Sequence, residues 1–63
     1  MNQEKFGKFI SELRKEKNMT QEQLAEKLGV SDKSISRWEN GNTMPDISLL
    51  VELADILNTT YQN

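Results

Sequence analysis

The side chains able to do chemistry in this chain are cations and amides, and the chemistry they offer is recognition. The 63 residues include no cysteine and no histidine, which removes disulfides, thiolate metal sites and the commonest general base. The ten acidic residues are scattered over helical faces without the paired spacing of an acid–base site. There is no phosphate-cradling glycine loop, and Gly41 stands alone. No enzyme activity, metal or cofactor is implied. What remains is a set of donors: Lys33 and Arg37, four residues apart and therefore on one face of a helix, with Gln21 before them and Asn40 and Asn42 after. The arginine fork presents two parallel donors to a planar edge carrying acceptors, and the lysine does a similar but less directional job.

Two short helices have to position these groups. Thr20 opens the first with a capping box: its side chain caps the N–H of Gln23, and Gln23 reaches back. Leu24, Ala25 and Leu28 form its apolar face. Gly29 follows the last apolar residue, where a left-handed residue ends a helix, and Val30 packs back across the turn. Ser31 caps the second helix, Asp32 to Asn40, whose apolar Ile35 and Trp38 stand three apart and turn inward. Two helices across a short turn containing glycine are a helix-turn-helix. Its second helix then shows Asp32, Lys33, Ser34, Ser36 and Arg37 outward. In such motifs that helix lies in the major groove of DNA, where Arg37 could meet guanine, a pair worth about 1–3 kcal/mol of discrimination.

The blocks Thr20-Gln21-Glu22-Gln23-Leu24-Ala25, Gly29-Val30-Ser31 and Ile35-Ser36-Arg37-Trp38-Glu39-Asn40-Gly41, in this order and spacing, resemble the DNA-binding domain of the phage repressor and Cro family, the xenobiotic-response-element type of bacterial regulator. The resemblance runs from about Phe6 to Thr60. It implies an all-α, lambda-repressor-like domain of four to five helices. Its base-reading positions fall on Asp32, Lys33 and Arg37, with Ser34 serving base or phosphate. Its backbone-contacting positions fall on Gln21, Asn40 and Asn42, and Ser31 and Ser36 complete the phosphate set. It also implies an ion pair between Arg14 and Glu39, partly buried. Each assignment has a plainer counterpart: Lys33 and Arg37 as solvated charges, Asp32 as a stabiliser of its helix's positive end, Asn40 and Asn42 as turn formers, and Trp38 as core rather than a base-stacking ring.

Sixty-three residues make one small domain, which buries only about 60% of its unfolded surface. Hydrophobic residues make up 35% and charged residues 29%, the profile of a globular helical domain. No apolar run approaches the roughly 20 residues of a membrane span, and a cytoplasmic location is the expectation. The net charge of −2 is unusual for a nucleic-acid binder. It is unevenly spread: residues 1–41 carry all eight Lys and Arg against seven acids, whereas residues 42–63 carry Asp46, Glu52 and Asp55 and no base.

Around the motif, Phe6, Ile10 and Leu13 define a first helix from about Gln3 to Lys17, with Phe9 beside the stripe and Gly7 a weak spot or a close approach. Asn18 ends it in a left-handed cap, and Met19 points back into the core. Pro45 delays a last helix, capped by Asp46 and running to Leu57. Ile47, Leu50, Ala54 and Leu57 form its expected core stripe, and Leu49, Leu53 and Ile56 form a second apolar stripe. The fifth helix of the resembling family is missing or reduced to a stub, so the chain reads as a fragment or as one whose second stripe a partner covers. Leu49, Leu53 and Ile56 with Tyr61 are the candidate dimer contact. The expected function is sequence-specific recognition of double-stranded DNA by a transcriptional regulator, a repressor acting as a homodimer on a palindromic operator. The alternative is a protein-interaction module such as an antitoxin or anti-repressor, with a protein partner.

Overall fold

The computed structural model describes residues 2–57. They form four helices, α1 (Gln3–Glu16), α2 (Gln21–Leu28), α3 (Asp32–Glu39) and α4 (Ile47–Leu57), with no strand among the described residues. Side chains start all four. Asn2 Oδ1 accepts from the Lys5 N–H at 3.0 Å. Thr20 Oγ1 accepts from the Gln23 N–H at 3.0 Å while Gln23 Oε1 accepts from the Thr20 N–H at 2.9 Å, completing the box. Ser31 Oγ accepts from the Ser34 N–H at 3.3 Å. Asp46 Oδ1 accepts from the Leu49 N–H at 3.0 Å and from the Ser48 hydroxyl at 2.8 Å, and these bonds, the Leu49 one foremost, hold its carboxyl below the ordinary range. Each such cap is typically worth about 1 kcal/mol.

The first three helices also stop in the same way. Asn18, Gly29 and Gly41 take positive φ, at 58°, 73° and 78°. The N–H of the next residue then reaches back five positions: Met19 to the Arg14 carbonyl (3.1 Å), Val30 to Ala25 (3.0 Å) and Asn42 to Arg37 (2.9 Å). This Schellman closure satisfies carbonyls that would otherwise be orphaned, and it turns Met19 and Val30 back against the core.

Ile10, Leu24, Ala25, Leu28, Ile35, Trp38, Leu53 and Leu57 form the buried core, with Phe6, Leu13, Met19, Val30, Leu49 and Ile56 packed around it. Helices α1 and α2 both pack on α3, and α4 packs on α2. Gly7 is a close approach: a Cβ there would fall on the Trp38 carbonyl oxygen and lie 2.6 Å from that of Glu39. The roughly 1 kcal/mol that glycine costs inside a helix is thus exchanged for backbone contact between α1 and the end of α3.

Helix α4 corrects two expectations. Ile47, expected in the core, is 77% exposed, whereas Leu53, assigned to the candidate dimer contact, is 1% exposed beside Leu57. The inward ladder is Leu49, Leu53 and Leu57, at i, i+4 and i+8. Buried Pro45 and the Asp46 cap place Ile47 at the first position of α4, where its side chain is left in solvent. Leu50 and Ala54 are half-buried and line a groove with Phe6 and Phe9 of α1. Tyr61 lies outside the described residues.

Candidate nucleic-acid interface

Helix α3 is anchored through one side and open on the other. Ile35 is fully buried and Trp38 is 4% exposed, while Asp32, Lys33 and Arg37 are exposed. Among the described residues neither Lys33 nor Arg37 is held in an ion pair, so both cations are available to a ligand. Asp32 sits in the first turn, where its charge complements the positive end of α3.

The hydroxyl and amide candidates are partly engaged inside the protein. Ser31 and Ser34 place their hydroxyl oxygens 3.4 Å apart at the start of α3, and Ser34 is half-buried. At the other end, Asn40 Nδ2 donates to Ser36 Oγ at 3.3 Å. Asn42 closes α3 through its backbone N–H, which leaves its exposed side-chain amide free of that duty. One contributor escaped the sequence reading. Gln3 Nε2 donates to the Gly41 carbonyl at 3.2 Å, bracing the loop of Asn40 and Asn42 from the first turn of α1. No local signal could have revealed a contact 38 residues away.

Beneath this surface lies a buried junction. Arg14 Nε donates to Glu39 Oε2 at 2.6 Å and its Nη2 donates to Oε1 at 3.1 Å, a two-pronged, charge-assisted pair. Arg14 Nη1 donates to the Met19 carbonyl at 2.7 Å. Gln21 Nε2 donates to Glu39 Oε1 at 2.9 Å. One carboxylate therefore joins the end of α1, the start of α2 and the end of α3. The side chains of Arg14 and Glu39 are only 10% and 6% exposed. Burial alone would raise the Glu39 carboxyl. Hydrogen bonds from Arg14, Gln21 and Ser11, with the arginine's charge, outweigh it and hold the carboxyl below its ordinary value. Its bond to Glu39, partly offset by burial, raises Arg14 in turn.

The structure thus brings Asp32, Lys33, Arg37, Ser31, Asn40 and Asn42 onto the exposed surface of α3 and its flanks, with Ser34 and Ser36 half-buried among them. Gln21 is also half-buried, tied to the end of α3 through Glu39. Of the candidate dimer residues, Leu49 and Ile56 are half-buried against the core. Among the described residues no cluster of acids could hold a metal ion, and no helix is long and apolar enough to cross a membrane.

Residues 10–62 match the family model described as "Helix-turn-helix", and with four helices among the described residues the architecture is the all-α, lambda-repressor-like one. The chain is 42% identical over 55 residues to the HTH-type transcriptional activator BcrR of Enterococcus faecalis, covering 87% of this chain and 27% of that protein. It is 38% identical over 58 residues to the uncharacterised HTH-type transcriptional regulator YazB of Bacillus subtilis (strain 168), covering 92% and 84% respectively. To the HTH-type transcriptional repressor RghR of the same organism it is 40% identical over 60 residues, covering 94% and 44%. The chain therefore spans most of YazB but less than half of the other two.

Proposed function

We propose that this chain, which belongs to the helix-turn-helix family, is a sequence-specific double-stranded-DNA-binding transcriptional regulator that lays α3 in the major groove. The observation that carries this reading is the two-sidedness of α3. Ile35 and Trp38 lock one side into the core, and the opposite side offers Lys33 and Arg37 with no carboxylate paired to either among the described residues. Arg37 reads guanine through its two parallel donors, and Lys33, Ser34 and Asp32 contact neighbouring edges, Asp32 accepting from a cytosine amino group. Gln21, Ser31, Ser36, Asn40 and Asn42 hold phosphates on either side and set the register without reading sequence.

Binding is by a homodimer on a palindromic operator, with half-sites about one helical turn apart. Of the residues expected at the dimer contact, Leu53 is buried and Leu49 shares its inward ladder, which leaves half-buried Ile56, with Tyr61 outside the described residues. Repression is the sign we assign, in keeping with RghR; the activator BcrR marks the alternative. No catalytic step is assigned.

A second reading, a protein-interaction module of the antitoxin or anti-repressor kind, draws on the exposed Phe9 of α1 and Ile47 and Val51 of α4 and on the acidic balance. Salt separates the two. DNA retention held by phosphate contacts falls steeply as salt rises, whereas an apolar protein contact persists. Retention of duplex DNA at low salt, lost on approach to physiological salt and weakened in Arg37→Ala, is the expected result. Absence of retention even at low salt would shift the assignment to the interaction module.

A further inference from the structure

We propose that Glu39 is a positioning residue for DNA binding: from inside the protein it fixes the side-chain amide of Gln21, so that this amide meets the phosphate backbone in one orientation. The inference rests on the reading of Gln21 as a phosphate contact and adds what makes that contact work.

The geometry is specific. Glu39 Oε1 lies 2.9 Å from Gln21 Nε2, and the same carboxylate takes both prongs of Arg14. An ionised carboxylate only accepts hydrogen bonds, whereas an amide has a donating and an accepting end. Only the NH2 end of Gln21 can therefore face Glu39, since turning the carbonyl inward would set oxygen against oxygen in a half-buried site. One N–H is held by Glu39, and the second, with no partner among the described residues, is left as a donor at the start of α2, where Gln21 is half-buried. A glutamine without such a hold is ordered only on binding, and the lost rotamer freedom is subtracted from affinity. Glu39 removes that loss in advance. Because it closes the same α3 that carries Lys33 and Arg37, it also sets the distance between the base-reading face and the backbone contact.

The test is a cycle of four proteins: the parent, Gln21→Ala, Glu39→Gln and the double variant. Affinity is read by fluorescence anisotropy on a labelled duplex of arbitrary sequence at low salt, with circular dichroism to confirm folding. Gln21→Ala should weaken binding by about 3- to 10-fold, the loss of one hydrogen bond to a phosphate. Glu39→Gln keeps the shape but supplies a donor as well as an acceptor, so the amide loses its one-way hold; affinity should fall by about 2- to 5-fold. That second loss should vanish when Gln21 is already alanine, which a merely structural role would not produce. Equal losses in both backgrounds, or none, would overturn the proposal.

If Glu39→Gln does not fold, the unaltered protein decides. The Gln21 side-chain amide should show 15N–1H heteronuclear NOE values close to those of the helix backbone, unlike the exposed Asn18 and Asn42, whose side-chain amides make no hydrogen bond among the described residues. Mobility equal to theirs overturns the proposal. A parent that retains no duplex refutes the DNA reading itself, whereas a parent that binds and a Gln21→Ala variant that binds equally well refute only the contact and the positioning built on it.

Discussion

The α2–α3 pair and helix α4 are built to different standards of local agreement. In α2 and α3, cap, stop and apolar spacing all demand the same structure: Thr20 and Ser31 start the helices, Gly29 and Gly41 end them, and the apolar residues face one way. In α4 the cap is equally good, but the sequence Ile-Ser-Leu-Leu-Val-Glu-Leu-Ala-Asp-Ile-Leu is apolar most of the way round. Its face is chosen by the surface it lands on rather than by its own pattern. Local constraints are concentrated on the pair that presents Lys33 and Arg37, and α4 is left to be oriented by packing.

The largest effect should come from the junction that closes the recognition unit. Glu39→Ala strands Arg14 in a site where its side chain is 10% exposed, and breaking a buried pair of this kind costs about 3–5 kcal/mol. A 63-residue domain has a total stability on the order of 3–9 kcal/mol, so urea unfolding should show most of it gone. A variant that unfolds like the parent would remove the junction from the account.

Leu53 against Ile47 sharpens the contrast within α4. Leu53→Ala should lose about 2–5 kcal/mol, as buried leucines do. Ile47→Ser should stay within about 0.5 kcal/mol of the parent. The reverse order would mean that α4 presents the Ile47 stripe to the core after all.

Gly7→Ala comes next. The added methyl must displace the Trp38 carbonyl or move α1 away from α3, for about 1–3 kcal/mol. A neutral or stabilising change, read by thermal melting, would mean that α1 and α3 can separate freely.

The smallest effect is in pH. The folded carboxyl of Glu39 lies below its unfolded value of about 4.5. Its contribution to stability is therefore fully present above that value and is lost as pH falls through the folded pKa. Denaturation midpoints should decline as pH falls below 4.5, and less steeply in Glu39→Gln. Equal slopes in the two proteins would place the acid sensitivity elsewhere, at Asp46 for example, whose carboxyl is also held low.

What could be read from sequence follows the same division. The helix-turn-helix was legible because its signals are local and redundant, and α1 was legible from its stripe and from Asn18. The inward face of α4 was not, because two apolar stripes compete and only its packing on α2 and α1 separates them. At the interface, the exposure of Lys33 and Arg37 follows from Ile35 and Trp38 turning inward. The engagement of Gln21 with Glu39 and the brace from Gln3 to Gly41 were not legible, since each joins residues far apart in the chain through a side chain no periodicity marks. Asn2 as a cap was also missed; one polar residue ahead of the first apolar position does not stand out from its neighbours.

The central claim is that Arg37 on α3 reads a base. Its most direct test is selection of bound duplexes from a random pool by the parent and by Arg37→Ala, at low and near-physiological salt. A palindromic consensus is expected for the parent, relaxed by Arg37→Ala at a single position in each half-site with the others intact. An identical consensus from both proteins would contradict it, as would salt-sensitive retention with no consensus at all.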